Sequence, residues 1–224
     1  MTRNANGTFL WVALVCQELK KVPRWKVLTK LNEFPPTLSS LYRRMMDKIC
    51  SSDDADLCKR ILAVASIAYR PITLPELASL VDVPEGVSDD LEALAEIVGL
   101  CGSFLTLREY TIYFVHQSAK DFLLKQAFSV IFPSGVQDMH HAIFSRSLRV
   151  MTKTLRRDIY TLSALGSSIG AKPPDPDPLA TARYACVYWV DHLDDWQSGD
   201  NIKYPGVFQD GSIIENFLRQ HYLH

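Results

Sequence analysis

The segment Phe114–Leu124, FVHQSAKDFLL, contains the histidine whose position best suits ligand binding. His116 ends an apolar run and lies two residues before Ser118, which with Asp121 is predicted to cap a helix. Helix N-termini carry unpaired N–H groups and a partial positive charge, which suit phosphate. A neutral imidazole there can donate a hydrogen bond to an anion, so His116 is a candidate phosphate ligand. The alternative, which the residues alone favour, is a hydrogen bond to a backbone carbonyl between strand and helix.

The remaining histidines and the cysteines do not indicate a metal site. His140 and His141 are adjacent and point to different sides of a helix, so they cannot chelate one ion as an i, i+4 pair could. The residues of DHLDDW, at 191–196, are spread around a helix between aromatic side chains, which predicts a surface rim and not a catalytic pair. The five cysteines are widely spaced, without a C-x-x-C pair, which indicates reduced thiols in a cytoplasmic protein.

Signatures of common enzyme classes and of charge-driven binding are missing. The chain contains no G-x-x-x-x-G-K-[ST], G-x-G-x-x-G, H-E-x-x-H or G-x-S-x-G motif. A net charge of -1 over 224 residues provides no global field to attract nucleic acid or an anionic membrane. The longest apolar stretch, Phe9–Cys16, is well short of the ~20 residues that a membrane span requires. We therefore expect no catalysis by this chain alone and no membrane crossing.

The spacing of apolar residues predicts a mainly α-helical fold with a small β-hairpin. Thr8 is expected to cap a helix to about Lys21 that is apolar nearly all round, which indicates burial between other elements. Thr37 is expected to cap an amphipathic helix. The apolar stripe of that helix comprises Leu38, Leu41, Tyr42, Met45, Met46 and Ile49.

Residues 51–128 follow the order of a winged helix-turn-helix, with three helices before a hairpin. The alternating runs SFLTL and TIYFVH form the hairpin, and Ile72 could begin a further short strand. The helix boundaries come from local signals, namely Pro71 after the first helix, a capping box of Thr73 and Glu76 for the second, and Ser88 and Gly99 at the two ends of the third.

A winged helix first suggests DNA binding, because its third helix can enter the major groove. Here that helix has no Lys or Arg, and its exposed side contains Asp89, Asp90, Glu92 and Glu96. These carboxylates would repel phosphate, so nucleic-acid binding is a less favoured alternative.

Five segments together resemble a known family: NGTFLWVALVCQELKKVPRWKVL, LPELASLVDVPEG, IVGLCGSFLTLRE, FVHQSAKDFLL and YACVYWVDHL. In order and spacing they are similar to the region after the nucleotide-binding core of fungal NACHT proteins of the vegetative-incompatibility type. These proteins are STAND signal-transduction NTPases related to NOD-like receptors. The resemblance implies part of a NACHT-associated helical domain at 1–50, a winged helix at 51–128, and a helical domain at 129–224 leading towards a repeat region.

The resemblance also implies roles for particular residues. In the family, a histidine in a Met-His-Asp motif at the end of the winged helix contacts the β-phosphate of ADP and holds the closed state. Val115-His116-Gln117 occupies that place here, so only the histidine is carried over, and Ser118 is expected to replace the capping role of the acid. Gly7 and Phe9 resemble an adenine-side segment in which Phe9 replaces a proline.

The resemblance implies that the phosphate loop, magnesium-binding acids and sensor arginine precede Met1 and that repeats follow His224. The chain is then a non-catalytic regulatory arm that couples ADP/ATP state to domain rearrangement in non-self recognition or programmed cell death. It would use ADP or ATP only when joined to a nucleotide-binding core, without a metal of its own. Its partners would be that ATPase core and the repeat domain, in cis or in trans, with homo-oligomers possible. The alternatives are a truncated stand-alone interaction scaffold and a nucleic-acid-binding protein.

Overall fold

Helices dominate the computed structural model, which describes residues 9–20, 22–160, 174, 176–198 and 212–221. The helices in chain order are α1 (Phe9–Leu19), α2 (Val27–Asn32), α3 (Leu38–Cys50), α4 (Ala55–Ile67), α5 (Leu74–Leu80), α6 (Leu91–Leu100), α7 (Gln117–Lys125), α8 (Phe128–Ile131), α9 (Val136–Thr154), α10 (Arg183–Gln197) and α11 (Ile213–His221). The strands are β1 (Ile72–Thr73), β2 (Leu105–Arg108) and β3 (Thr111–Phe114). The mainly α-helical fold with a small sheet is thereby confirmed.

Helix α1 is buried on one side only. Trp11 and Val15 are completely buried, and the Trp11 indole donates a hydrogen bond to the carbonyl of Pro35 at 2.8 Å. Phe9, in contrast, is 88% exposed. Burial between other elements is confirmed for the side of this helix that packs against α2 and α3, while Phe9 at its start lies outside that contact. Thr8 and Lys21, the predicted ends, lie outside the described residues.

Helix α3 follows its predicted pattern. The Thr37 hydroxyl accepts a hydrogen bond from the amide of Ser40 at 3.2 Å and so caps the helix. The predicted stripe is buried except for Leu38, which is partly buried. At its centre, the Tyr42 ring lies 5.5 Å from each of the Phe104 and Phe122 rings. Aromatic packing thus joins α3 to the winged helix.

Helices α4 to α6 and a three-stranded antiparallel sheet form the winged helix. The strand order is β1-β3-β2, and Ile112 lies opposite both Ile72 and Leu107. The hairpin and the short strand at Ile72 are confirmed. Glu109 and Tyr110 form the hairpin turn with φ of 48° and 61°, the left-handed conformation at both residues that a type I′ turn requires.

The ends predicted for α6 are wrong. Asp90 caps this helix, because one carboxylate oxygen accepts hydrogen bonds from the amides of Glu92 and Ala93 at 2.9 and 3.0 Å. Ser88 lies two residues too early to reach these amides. The helix runs through Gly99 to Leu100, and the chain turns at Gly102, where φ is +66°. A glycine favours a helix end where it adopts this left-handed conformation, which Gly99 does not.

Two hydrophobic cores are joined by α9. The first contains the buried residues of α1 and α3–α8 together with Ile143 of α9 and Tyr184 of α10. The second lies between α9, α10 and α11 and includes Phe144, Leu148, Met151, Leu193, Trp196, Ile214 and Phe217. Ile143 and Phe144 are adjacent, so one helix belongs to both cores. Domain boundaries at 50 and 128 stay predictions. Within the described ranges, no helix is long and apolar enough to cross a membrane.

Candidate functional site

His116 is the N-cap residue of α7. Its backbone is extended, with φ of -160° and ψ of 155°, and its Nδ1 accepts a hydrogen bond from the amide of Ser118 at 3.1 Å. The sheet places it there, because the amide of Val115 donates to the carbonyl of Phe104 at 3.0 Å, immediately before β2. The imidazole therefore lies at a helix N-terminus, where an anion is favoured.

The hydrogen bonds of His116 determine which ring nitrogen has the proton. Since Nδ1 accepts from a backbone N–H, the neutral ring is protonated at Nε2. The Ser118 hydroxyl lies 2.8 Å from the same Nδ1 and must donate to it. The side chain of His116 is exposed, and Nε2 has no hydrogen bond within the described part of the chain. The ring thus presents an N–H donor to solvent beside a helix N-terminus.

A relay of hydroxyl groups connects this histidine to α3. The Ser118 hydroxyl donates to His116, so its oxygen accepts from the Tyr42 hydroxyl, 3.1 Å away. Burial raises the pKa of Tyr42, which keeps its hydroxyl neutral and able to donate, although the bond with Ser118 opposes that rise. The orientation of the imidazole therefore depends on a side chain of the preceding helical segment.

The predictions for this region had mixed outcomes. Ser118 was expected to cap α7, but His116 caps it, because Ser118 is already the second residue of the helix. A bond from His116 to a backbone carbonyl is also wrong, since the bonded backbone group is an amide. Phe9 lies at the start of α1, while Gly7 lies outside the described residues. The adenine-side role of both residues stays a prediction.

The third helix of the winged helix is acidic on its exposed face. Asp89, Asp90, Glu92 and Glu96 are all exposed, while Leu94, Ile97 and Val98 are buried. The surface that would have to approach a DNA backbone is therefore lined by carboxylates, which makes phosphate contact unfavourable.

A buried polar cluster lies where α9 and α10 meet the winged helix. His192 has no exposed surface and His140 is 8% exposed. Their Nδ1 atoms lie 2.9 Å apart, and His192 Nε2 lies 2.8 Å from the Tyr184 hydroxyl. The Tyr184 oxygen also accepts from the amide of Tyr69 at 3.3 Å, just after α4. This cluster makes the interpretation of DHLDDW as a surface rim wrong for its histidine.

Sequence spacing contained a signal for this cluster. Tyr184, Tyr188, His192 and Trp196 recur every four residues along α10, so they share one face of the helix. His140 and His141 do point to different sides, because His140 is buried while His141 is exposed. Among the described residues, no group of three or more His, Cys, Asp or Glu side chains could hold a metal ion.

A buried ion pair lies beside the cluster. The Glu76 side chain is almost completely buried and receives two hydrogen bonds from the Arg70 guanidinium, at 2.6 and 3.0 Å. Its Oε2 also accepts from the amide of Thr73 at 2.9 Å, which confirms the predicted capping box. The guanidinium lies over the rings of Tyr184 and Tyr188, 5.3 and 5.9 Å from their centroids. The winged helix and α10 therefore meet through charge and aromatic packing.

Comparisons with known proteins agree with this architecture. Residues 44–133 match the family described as GPI inositol-deacylase, winged helix domain. The chain is 55% identical over 236 aligned residues to the vegetative incompatibility protein HET-E-1 of Podospora anserina. That alignment covers 99% of this chain and 17% of the relative, so the chain corresponds to a small part of a much longer protein. No solved structure matches the chain.

Proposed function

We propose that the chain is a regulatory arm of a fungal vegetative incompatibility protein of the NACHT type. It corresponds to a segment of such a protein, as the resemblance predicted and the match confirms. The arm couples the ADP or ATP state of a nucleotide-binding core to domain rearrangement during non-self recognition. The observation that supports this most directly is the exposed, N-capping His116, whose Nε2–H has no hydrogen-bond partner among the described residues.

His116 would act as the ADP-sensing residue. Its Nε2–H would donate to the β-phosphate, and the N-terminus of α7 would add a favourable partial charge. The bond made in the ADP-bound state would be absent when the winged helix moves away, so ADP would favour the closed conformation. The Tyr42–Ser118 relay supports such coupling, because it ties the ring orientation to α3.

The chain would not hydrolyse ATP itself. Its matched domain is a winged helix, and the sequence has no phosphate loop. ATP binding and hydrolysis would belong to a NACHT core, acting in cis or in trans, while this segment reports the nucleotide state to the region that follows. In the presence of ATP the winged helix would then move away from the nucleotide-binding core, in a domain motion between two states.

The test is ADP release from a full-length protein that contains this segment. His116→Asn keeps an N-cap residue but removes the Nε2–H donor, so we expect ADP to dissociate about tenfold faster, as for the loss of a hydrogen bond to a charged group. His116→Arg should also weaken ADP retention, since the Arg side chain cannot keep the cap. Dissociation of a fluorescent ADP analogue after stopped-flow mixing measures both effects.

The matched control is His141→Asn, which changes another exposed histidine outside the winged helix. Its ADP dissociation rate should equal that of the unmodified protein. Equal rates for His116→Asn, His116→Arg and the unmodified protein would contradict the proposal.

A second candidate function is a stand-alone interaction scaffold. Phe9, Trp25 and Leu28 are 88%, 77% and 76% exposed, which is unusual for large apolar side chains. Such a surface would favour self-association or binding to another protein. Sedimentation velocity of the isolated chain tests this idea, and a monomer at all concentrations would contradict self-association.

A further inference from the structure

The buried histidine pair connects the terminal helices to the winged helix through hydrogen bonds in series. His140 on α9 contacts His192 on α10, His192 contacts the Tyr184 hydroxyl, and Tyr184 accepts from the amide of Tyr69. The Tyr69 ring also lies 4.9 Å from the His192 ring and 5.4 Å from the Tyr188 ring. We call the four residues Tyr69, Tyr184, His140 and His192 the histidine latch.

The contact between the two Nδ1 atoms depends on the number of protons in the pair. At 2.9 Å, one Nδ1 must donate and the other must accept. Two neutral rings satisfy this rule. Two imidazolium rings cannot, because both Nδ1 atoms would carry hydrogens pointing at each other. Full protonation is therefore incompatible with the observed geometry.

The charged and titratable groups around the pair offer little compensation for added charge. Besides the members of the latch they are Arg70, Glu76, Tyr188, Asp191 and Asp195. Asp195 is nearest, with Oδ2 at 3.6 Å from His140 Nδ1, but it is half-exposed and also accepts from the Tyr69 hydroxyl. Glu76 is engaged by Arg70. A positive charge on His140 would thus have only the exposed Asp195 as a counter-ion among the described residues. A positive charge on His192 would have no hydrogen-bonded carboxylate among them.

The direction of the pKa shifts agrees with this geometry. Burial, followed by the neighbouring His140, lowers the pKa of His192 to about 4, although Asp195 opposes the change. Burial also lowers the pKa of His140, again against Asp195. Both histidines bind protons more readily in the unfolded chain, where the ordinary value is about 6.5. The stabilisation is therefore complete above pH ~6.5 and is lost as the pH falls towards ~4.

We infer that the histidine latch is an acid-sensitive connection that holds α9 and α10 against the winged helix at neutral pH and loosens α10 progressively as the pH falls from about 6.5 towards ~4. None of its residues belongs to the His116 site, so the latch can be tested without ADP. Acid would therefore weaken the link between the winged helix and the terminal helices. Apart from Tyr184, which belongs to both the latch and the first core, that core is mainly apolar and should keep its packing.

Hydrogen exchange of the whole chain, followed by mass spectrometry between pH 7.5 and pH 5, tests this inference. After correction for the intrinsic exchange rate, protection of 183–197 should fall by about tenfold or more, as expected when at least one proton is linked to opening. Peptides covering α3 and α4 should keep their protection within about twofold. Constant protection of 183–197 across this range would overturn the inference.

Variants identify the titrating groups. The double variant His140→Asn with His192→Gln replaces the rings by amides that can bond but do not titrate, so its α10 protection should be independent of pH. His141→Asn should behave like the unmodified chain. A fall in protection that is the same in the double variant as in the unmodified chain would show that other groups are responsible and would overturn the inference.

A measurement on the unmodified chain keeps the inference testable if the double variant does not fold. The ¹³Cε1 chemical shifts of the six histidines can be followed by NMR during an acid titration. His192 should remain neutral at pH 6, where an ordinary imidazole is largely protonated. Titration of His192 with a midpoint at or above 6.5 would overturn the inference.

Discussion

The two histidine sites of this chain differ in burial and in what occupies their ring nitrogens. His116 is exposed, uses Nδ1 to cap α7 and presents Nε2 to solvent. His192 is completely buried, and both of its nitrogens are engaged, one by His140 and one by Tyr184. The first arrangement suits a residue that gains a partner when a ligand arrives. The second suits a residue that stabilises the fold and resists protonation.

The comparison shows that residue type alone does not assign a role to histidine. Both rings lie in helical surroundings and each bonds a hydroxyl group, Ser118 in one case and Tyr184 in the other. Solvent access distinguishes them, because a buried polar group must satisfy its hydrogen bonds within the protein while an exposed one has water as a partner. Substitutions should therefore affect stability mostly at the buried site and ligand binding mostly at the exposed site.

The largest effect on stability is expected for His192→Ala. The change leaves a cavity and removes a partner from both His140 and Tyr184, so we expect a loss of about 3 to 5 kcal/mol at pH 7.5. Urea unfolding followed by tryptophan fluorescence measures the loss. His141→Ala, at an exposed position of α9, is the matched control and should stay within about 1 kcal/mol. Equal losses for the two variants would contradict the assigned burial.

Glu76→Ala tests the ion pair that supports the buried site. The substitution leaves the Arg70 guanidinium, two-thirds buried, without its carboxylate and removes the acceptor for the amide of Thr73. We expect a loss of about 3 kcal/mol in the free energy of unfolding. Asp56→Ala, which breaks a pair with Lys59 on an exposed surface, is the control and should barely move the urea midpoint. A Glu76→Ala variant as stable as this control would show that the pair does not stabilise the fold.

His116→Ala should destabilise the chain by about 1 kcal/mol, the usual effect of losing an N-cap. His116→Asn should restore most of that loss, because asparagine is a good N-cap residue. Thermal unfolding of the two variants measures the difference. If both variants melt together with the unmodified chain, the capping bond seen at Nδ1 does not contribute to stability.

Tyr42→Phe should have the smallest effect of the set. It deletes the hydroxyl that donates to Ser118 and leaves the stacked ring in place, so we expect a loss of up to about 1 kcal/mol. In a full-length protein the same change should speed ADP dissociation by less than His116→Asn does, because the imidazole remains but is less well oriented. A larger change in ADP dissociation than that of His116→Asn would contradict the order of the relay.

Local sequence signals predicted much of the fold. The stripe of α3, the capping box at Thr73 and the hairpin with its third strand at Ile72 were all recoverable, because each depends on residues close in sequence or on simple alternation. The ends of α6 were not, since Ser88 and Asp90 are both good caps and only the backbone conformation decides between them. His116 was identified as a candidate, but the group that it bonds was not.

The sequence by itself determined the helical class, the winged helix order and the acidic third helix, because periodicity and charge are properties of neighbouring residues. The tertiary structure alone decided which histidine is exposed and which is buried. His140 and His192 are 52 positions apart, and the His192 ring contacts the ring of Tyr69, which follows α4 more than 120 positions earlier. Such contacts depend on how α9 and α10 pack against the winged helix, and the packing of helices that are distant in sequence cannot be predicted from local spacing.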